Sequence, residues 1–462
     1  MAEYTGGTVE ADHLCVLVHG LWGNPNNLAN VAKALRAKHP ADKLYILCVK
    51  RNSGSFTYDG IERGGERVCL EIEEELRTIK LRGGKINKLS VVGYSLGGLV
   101  ARYAIGLLYA KGVLDQVECM SFTAFASPFL GVRTPLQGGA NHIWNVVGAR
   151  TLSTSGRQLF TIDNFRNTGR PLLAVLADRN SIFMQGLAKF RRRTLYANII
   201  HDRSAVYYTT MIAKTNPYTD LTKVRVNYAK GYEDVVLDRQ YPVYPIPPHS
   251  WKKDTLSEKF HKWFYRVPTT LLLIILVPLG VIAWLLNSAI QTVRSYKRIV
   301  LHEKGKAGIN IEEYRMPVLL NEIRGAVEDA YENLSSAQPQ QYLGSSDDDD
   351  ESSDSGNDSS PAAPLLYEKA EINARARARR ASDRNILRRE RALSQAGQPT
   401  LALAPCQFEM ISALDSLGWR KYPVWIHRNR YSHAAIIVRT EKEIFSEGYI
   451  VLAHWLNEEF LV

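Results

Sequence analysis

From residue 13 to residue 125, short runs of apolar and β-branched residues alternate with longer stretches whose apolar positions recur at helical spacing. HLCVLVHG, LYILCVK, LSVVGYS and CMSFTAFAS read as strands, and NPNNLANVAKALRAKH and GGERVCLEIEEELRTIKL between them as helices. Asn24 followed by Pro25 is a cap and proline start for the first helix. Strand alternating with helix predicts an α/β fold, a mostly parallel central sheet with helices on both faces. Residues 129–190 are richer in Gly, Ser, Thr and Arg and less periodic, as expected of a lid or cap over the C-terminal edge of that sheet. LYANII reads as a further buried strand that runs into a loop at His201-Asp202.

The second half changes character several times. VPTTLLLIILVPLGVIAWLL, residues 267–286, carries no charged side chain and is long enough, at about 1.5 Å per residue, to match a bilayer's hydrocarbon. SSDDDDESSDSGNDSSPAAP has too little apolar surface to fold and is expected to be disordered; ARARARRASDRNILRRERA after it is a basic, helix-compatible patch. PVWIHRNRYSHAAIIVRTEK and GYIVLAHWL regain folded character, either as an accessory domain or as the completion of the first one. The expected division is a main α/β part over 1–250, a basic-flanked membrane-anchoring segment over 251–310, a helical segment over 311–335, a disordered acidic then basic linker over 336–400 and a part over 401–462 that completes the first.

Composition narrows the class. The five cysteines, Cys15, Cys48, Cys69, Cys119 and Cys406, are scattered without a C-x-x-C pair, and they read as reduced core residues. A net charge of +11 favours anionic partners. No zinc-ligand spacing or RNA-binding signature accompanies it, so a membrane surface is preferred and nucleic acid is not expected. MAEYTGGTVEADH lacks the basic and apolar regions of a cleavable signal, and the folded domain is therefore expected on the cytosolic side.

The chemistry centres on Gly93-Tyr94-Ser95-Leu96-Gly97, set between an apolar strand and a periodic helix, the context of a nucleophile elbow. Gly93 and Gly97 keep the sharp turn free of side chains, and Ser95 stands where a helix N-terminus favours developing negative charge. In VLVHGLWGNP a strand ends at His19-Gly20, so the N–H of Leu21 is the natural partner for that of Leu96 in an oxyanion hole. His19 itself reads as structural, because the base is expected after the acid in chain order. Asp202 leads the acids, ahead of Asp163, Asp178 and Asp234, because it follows a strand at the end where parallel sheets collect their sites. Among the histidines that follow it, His433 in RNRYSHAAIIVR leads, His249 in PIPPHSW competes, and His454 reads as part of a regular element.

VLVHGLWGNP, GYSLGGLVARYAIG, ASPFLG, LYANIIHDRSAVYYTT and SHAAIIVR together resemble the putative serine esterase family of α/β-hydrolases, most closely its fungal lipid-droplet phospholipase branch. The resemblance covers residues 13 to 215 and again 420 to 440. It implies the α/β-hydrolase fold, a Ser95, Asp202, His433 triad, a glycerophospholipid or acylglycerol substrate, and a lipid droplet or endoplasmic reticulum membrane as the site of action. No metal or other cofactor is required; protein partners are not indicated. The rival readings are a monoacylglycerol or other neutral-lipid esterase and a non-catalytic membrane tether. The linker reads as a solvated spacer or as a regulatory arm with a basophilic kinase site at Arg379-Arg380-Ala381-Ser382.

This order constrains the apolar stretch. Ser95 and Asp202 precede it and His433 follows it, so a single crossing would separate base from nucleophile. Pro278 with Gly280 interrupts the run, and both flanks are basic, with Lys252, Lys253, Lys259, Lys262 and Arg266 before it and Arg294, Lys297, Arg298, Lys304 and Lys306 after. The expectation is a proline-broken hairpin that enters and leaves on one side, with a buried core helix as the alternative.

Overall fold

The computed structural model describes residues 2–133, 148, 151–246, 267–315, 318, 381–387, 390 and 400–462, with only the backbone described over 267–281. Five strands fall where the apolar runs lie: β1 (His13–Val18), β2 (Leu44–Cys48), β3 (Lys88–Tyr94), β4 (Glu118–Phe125) and β5 (Arg192–Asn198). A short antiparallel pair, β6 (Val224–Val226) and β7 (Val243–Pro245), stands apart, and β8 (Arg420–Val424) comes from the tail. The main sheet has the order β2-β1-β3-β4-β5-β8 and every neighbouring pair is parallel.

Alternation along the strands feeds two cores. Leu14, Val16 and Val18 of β1 enter one cluster with Val68 and Ile72 of α1 (Ile61–Leu81) and Leu99, Tyr103 and Leu107 of α2 (Leu96–Ala110). Cys15 and Leu17 enter the other, with Ile436, Val451 and Trp455 from the tail. Burial on both faces is why these strands are apolar at nearly every position instead of at every second one. Cys15, Cys69 and Cys119 are buried and Cys48 and Cys406 half-buried, and none of them forms a disulfide with another described residue.

β8 pairs with β5 from Thr194↔Arg420 to Asn198↔Val424, so the tail supplies the edge strand of the sheet that begins near residue 13. Behind it, Glu459 is fully buried and accepts from Arg420 Nε at 2.7 Å, Tyr422 Oη at 2.6 Å and Thr194 Oγ1 at 3.0 Å. His454, also buried, meets Tyr196 Oη through Nδ1 at 2.7 Å, and burial lowers its pKa from 6.5 to about 4. A neutral imidazole is needed there, and a depressed histidine contributes stability that is present above its ordinary value and lost as pH falls through the folded one. Replacing His454 by Gln is therefore expected to flatten the loss of stability between pH 6.5 and about 4, read from urea midpoints across that range.

Two expectations are corrected. α3 (Val267–Glu303) is one continuous helix of 37 residues, so the break at Pro278 and the hairpin built on it are absent. An interior proline removes one backbone hydrogen bond and bends the axis, and long runs of Leu, Ile and Val on either side carry the helix through. Among the described residues no helix is long and apolar enough to cross a membrane; the side chains of 267–281 lie outside them. Disorder across 336–400 fails at residues 381–387, which are helical: Ile386 and Leu387 pack on the first core, and beyond them Glu390 pairs with Lys214 at 2.6 Å. These side chains supply the apolar surface that the acidic run lacks. The rest of the linker, Arg379 and Arg380 included, and most of the segment expected to be helical over 311–335 lie outside the described residues, apart from a short 3-10 turn at Ile311–Tyr314.

Candidate active site

β3 ends at Tyr94 and α2 begins at Leu96, which leaves Ser95 alone on the turn with φ 55° and ψ −128°. A β-carbon on Gly97 would lie 2.2 Å from the carbonyl oxygen of Val18, and one on Gly93 would lie 2.4 Å from the α-carbon of Gly98. The turn therefore closes only with glycine at both positions. Gly97→Ala is expected to lower stability by about 3 kcal/mol through overpacking against rigid backbone, read as a fall in thermal midpoint.

Ser95 Oγ lies 2.9 Å from His433 Nε2, and His433 Nδ1 lies 2.8 Å from Asp202 Oδ2. Asp202 is buried, and its other contacts come from the N–H groups of Ser204 at 3.0 Å and Ala205 at 2.8 Å and from Asn198 Nδ2 at 3.0 Å. A carboxylate that accepts four hydrogen bonds is held in one orientation. With Nδ1–H donating to it, Nε2 is left free to take the serine proton. His433 stands on a short helix, Ser432–Ala435, fastened by Ser432 Oγ to Ile200 O at 2.9 Å and by Tyr94 Oη to the His433 carbonyl at 2.9 Å. Tyr94, the residue before the nucleophile, thus braces the base.

The turn after β1 brings its backbone against the same serine, since a β-carbon on Gly20 would lie 2.8 Å from Ser95 Cβ. Leu21 is the next residue, and Leu96 is the first of α2, where a helix N–H has no acceptor of its own. The turn is held by Gly23 N–H to Gly20 O at 3.0 Å, Trp22 N–H to Thr57 Oγ1 at 3.0 Å and Trp22 Nε1 to Tyr58 Oη at 2.7 Å. Buried His19 turns Nδ1 to Gly20 O at 3.1 Å, and burial lowers its pKa, so it braces the turn as a neutral ring. Trp22, Ser95 and His201 all have positive φ, and each is or adjoins a residue of the site, which is where backbone strain collects.

The rival residues are placed elsewhere. Asp163 accepts from the N–H of Leu172, with its pKa raised by burial to about 6; Asp178 pairs with Arg170 at 2.5 Å; Asp234 is exposed on a turn. His302 faces Glu66 and His427 faces Glu447. His249 and His261 lie outside the described residues. Among the described residues no group of three or more His, Cys, Asp or Glu is placed to hold a metal ion. The bracing by Tyr94, Asn198 and the 53–58 segment escaped the sequence reading; only Asn198, four residues before Asp202 on the same strand end, carried a local signal.

Residues 8–216 match the family described as Putative serine esterase (DUF676). Among curated proteins, the chain is 28% identical over 249 residues to Putative lipase YDL109C of Saccharomyces cerevisiae, covering 52% of this chain and 36% of that one. It is 29% identical over 242 residues to Putative lipase ROG1 of the same yeast, covering 50% and 33%. The chain thus spans about a third of the length of these relatives. A solved structure of RedJ, with a polyethylene glycol molecule bound in its active site, aligns with 46% of this chain and 80% of its own at 17% identity and a TM-score of 0.24.

Proposed function

We propose, for a chain whose residues 8–216 match a serine esterase family within an α/β-hydrolase fold, that it cleaves acyl esters of glycerophospholipids through an acyl-serine intermediate. The observation that carries the reading is the unbroken relay from Ser95 to His433 to Asp202, at 2.9 and 2.8 Å. His433 Nε2 takes the proton as Ser95 Oγ bonds to the ester carbonyl carbon. The oxyanion that forms is held by the N–H groups of Leu21 and Leu96, with α2 directing its N-terminus at the charge. His433, stabilised as imidazolium by Asp202, returns the proton to the departing alcohol. Water, deprotonated by the same histidine, then attacks the acyl-serine; the carboxylic acid leaves and Ser95 is regenerated.

The site of action is the surface of a lipid droplet or endoplasmic reticulum membrane, with the catalytic domain facing the cytosol. The net charge of +11 and the basic residues on both sides of the apolar stretch support this. The test is incubation of the purified chain with phospholipid and acylglycerol panels, with released fatty acid measured. Fatty acid from diacyl phospholipids is expected. Release from monoacylglycerols alone would replace the phospholipid reading by the neutral-lipid one, and no release from either would remove both.

A further inference from the structure

Ser288, Ser295 and His302 recur every seven residues along α3, and all three are buried against the hydrolase body. Ser288 Oγ donates to Thr151 O at 2.5 Å, Ser295 Oγ donates to Asp59 Oδ1 at 2.8 Å, and His302 Nε2 meets Glu66 Oε2 at 2.6 Å. Arg298 joins the same seam, with Nη2 on Asp59 Oδ1 at 2.7 Å and on Ser55 O at 2.7 Å. Asp59 is fully buried and also holds Arg67 at 2.6 Å, so this is a built polar joint. On the opposite side Ile282, Leu285, Leu286, Ile290, Val293 and Tyr296 are exposed, from 44% for Leu285 to 68% for Tyr296. Steps of three and four residues put them on one stripe. The helix is inside out, with its polar seam turned to the protein and its apolar stripe turned away.

Extending the lipid-surface reading above, on which it rests, we infer that this stripe lies in the headgroup and acyl boundary of an anionic phospholipid layer, with α3 on the layer and not through it. The stripe leads directly into residues 267–281 of the same helix, which contain no charged residue. Exposed Arg294 and Lys297 sit beside it, and exposed Lys304 and Lys306 follow its end. Those charges suit anionic headgroups, whereas a second copy of the chain would set like charges against each other.

Crossing is excluded by connectivity. The described residues before 247 and residues 288–303 of α3 are joined by the Asp59, Thr151 and Glu66 contacts. A span over 267–286 would require residues 247–266 to cross back, and these include Lys252, Lys253, Asp254, Glu258, Lys259 and Lys262. The joint also lies next to the oxyanion turn: Arg298 bonds Ser55, and Thr57 and Tyr58 hold Trp22. The lipid-facing helix is thereby two contacts from the turn after β1.

The full chain is floated with vesicles of phosphatidylcholine and phosphatidylserine, alongside Ile290→Asp/Val293→Asp, and both are assayed on p-nitrophenyl butyrate in solution. The double variant is expected to bind vesicles at least about tenfold more weakly and to hydrolyse the soluble ester at the wild-type rate. Unchanged binding overturns the inference, as does a wild-type dimer that the variant dissociates without loss of vesicle binding. Trypsin added to vesicle-bound protein should cut within 251–266; full protection there overturns the on-surface arrangement. Failure of both proteins on the soluble ester, with binding still lost in the variant, removes the esterase reading and leaves the surface intact.

Discussion

Ser95→Ala is expected to lower the proposed ester hydrolysis by about a millionfold and to abolish labelling by a fluorophosphonate, with the fold unchanged. The size follows from the arrangement. Among the described residues Ser95 stands at the head of a hydrogen-bonded relay, and its strained turn, at φ 55°, presents Oγ to the carbonyl carbon. Alanine accepts the same backbone and removes no packing, so circular dichroism and thermal midpoint stay within error of the wild type. Residual turnover above water would come from the N–H groups of Leu21 and Leu96. Undiminished labelling in the alanine variant would mean that the reactive nucleophile is another residue.

His433→Ala is the second large loss, about a hundred-thousandfold, while His249→Ala leaves the rate unchanged. Without the imidazole the serine keeps its proton and Asp202 faces an empty space. Because serine and base act on one proton, Ser95→Ala/His433→Ala should be no slower than Ser95→Ala alone. Additive losses would show that His433 contributes by holding structure, through its carbonyl bond from Tyr94, instead of by moving the proton. Stopped initial rates on a chromogenic ester, with vesicle-free protein, decide between these outcomes.

The strands and the elbow were legible because their physics is local. A strand buried on both faces must be apolar throughout, and a serine on a strand-to-helix turn must stand between small residues, so β1 to β4 and Gly93-Tyr94-Ser95-Leu96-Gly97 announce themselves within a few residues. The partners of Ser95 were legible only through chain order and family resemblance, since the structure joins His433 to a serine 338 positions away. The tail was ambiguous for the same reason: nothing within RKYPV says that its backbone pairs with RRTLYAN. The long helix was misjudged because proline weakens a helix locally, whereas continuity is decided over many turns. Its seven-residue repeat of Ser288, Ser295 and His302 was visible, but the meaning of that repeat depends on distant partners, the Thr151 carbonyl 137 positions earlier and the acids Asp59 and Glu66 each 236 earlier.

The edge position of β8 has a consequence for biosynthesis. β8 and His433 are translated last among the parts the relay needs, after α3 has been made. A nascent chain that already carries Ser95 and Asp202 has no base until the stretch bearing β8 and His433 leaves the ribosome and adds itself to the open edge of the sheet. On the readings given above, the means of reaching lipid is thus complete before the means of cutting it, and an arrested or truncated product is docked but silent.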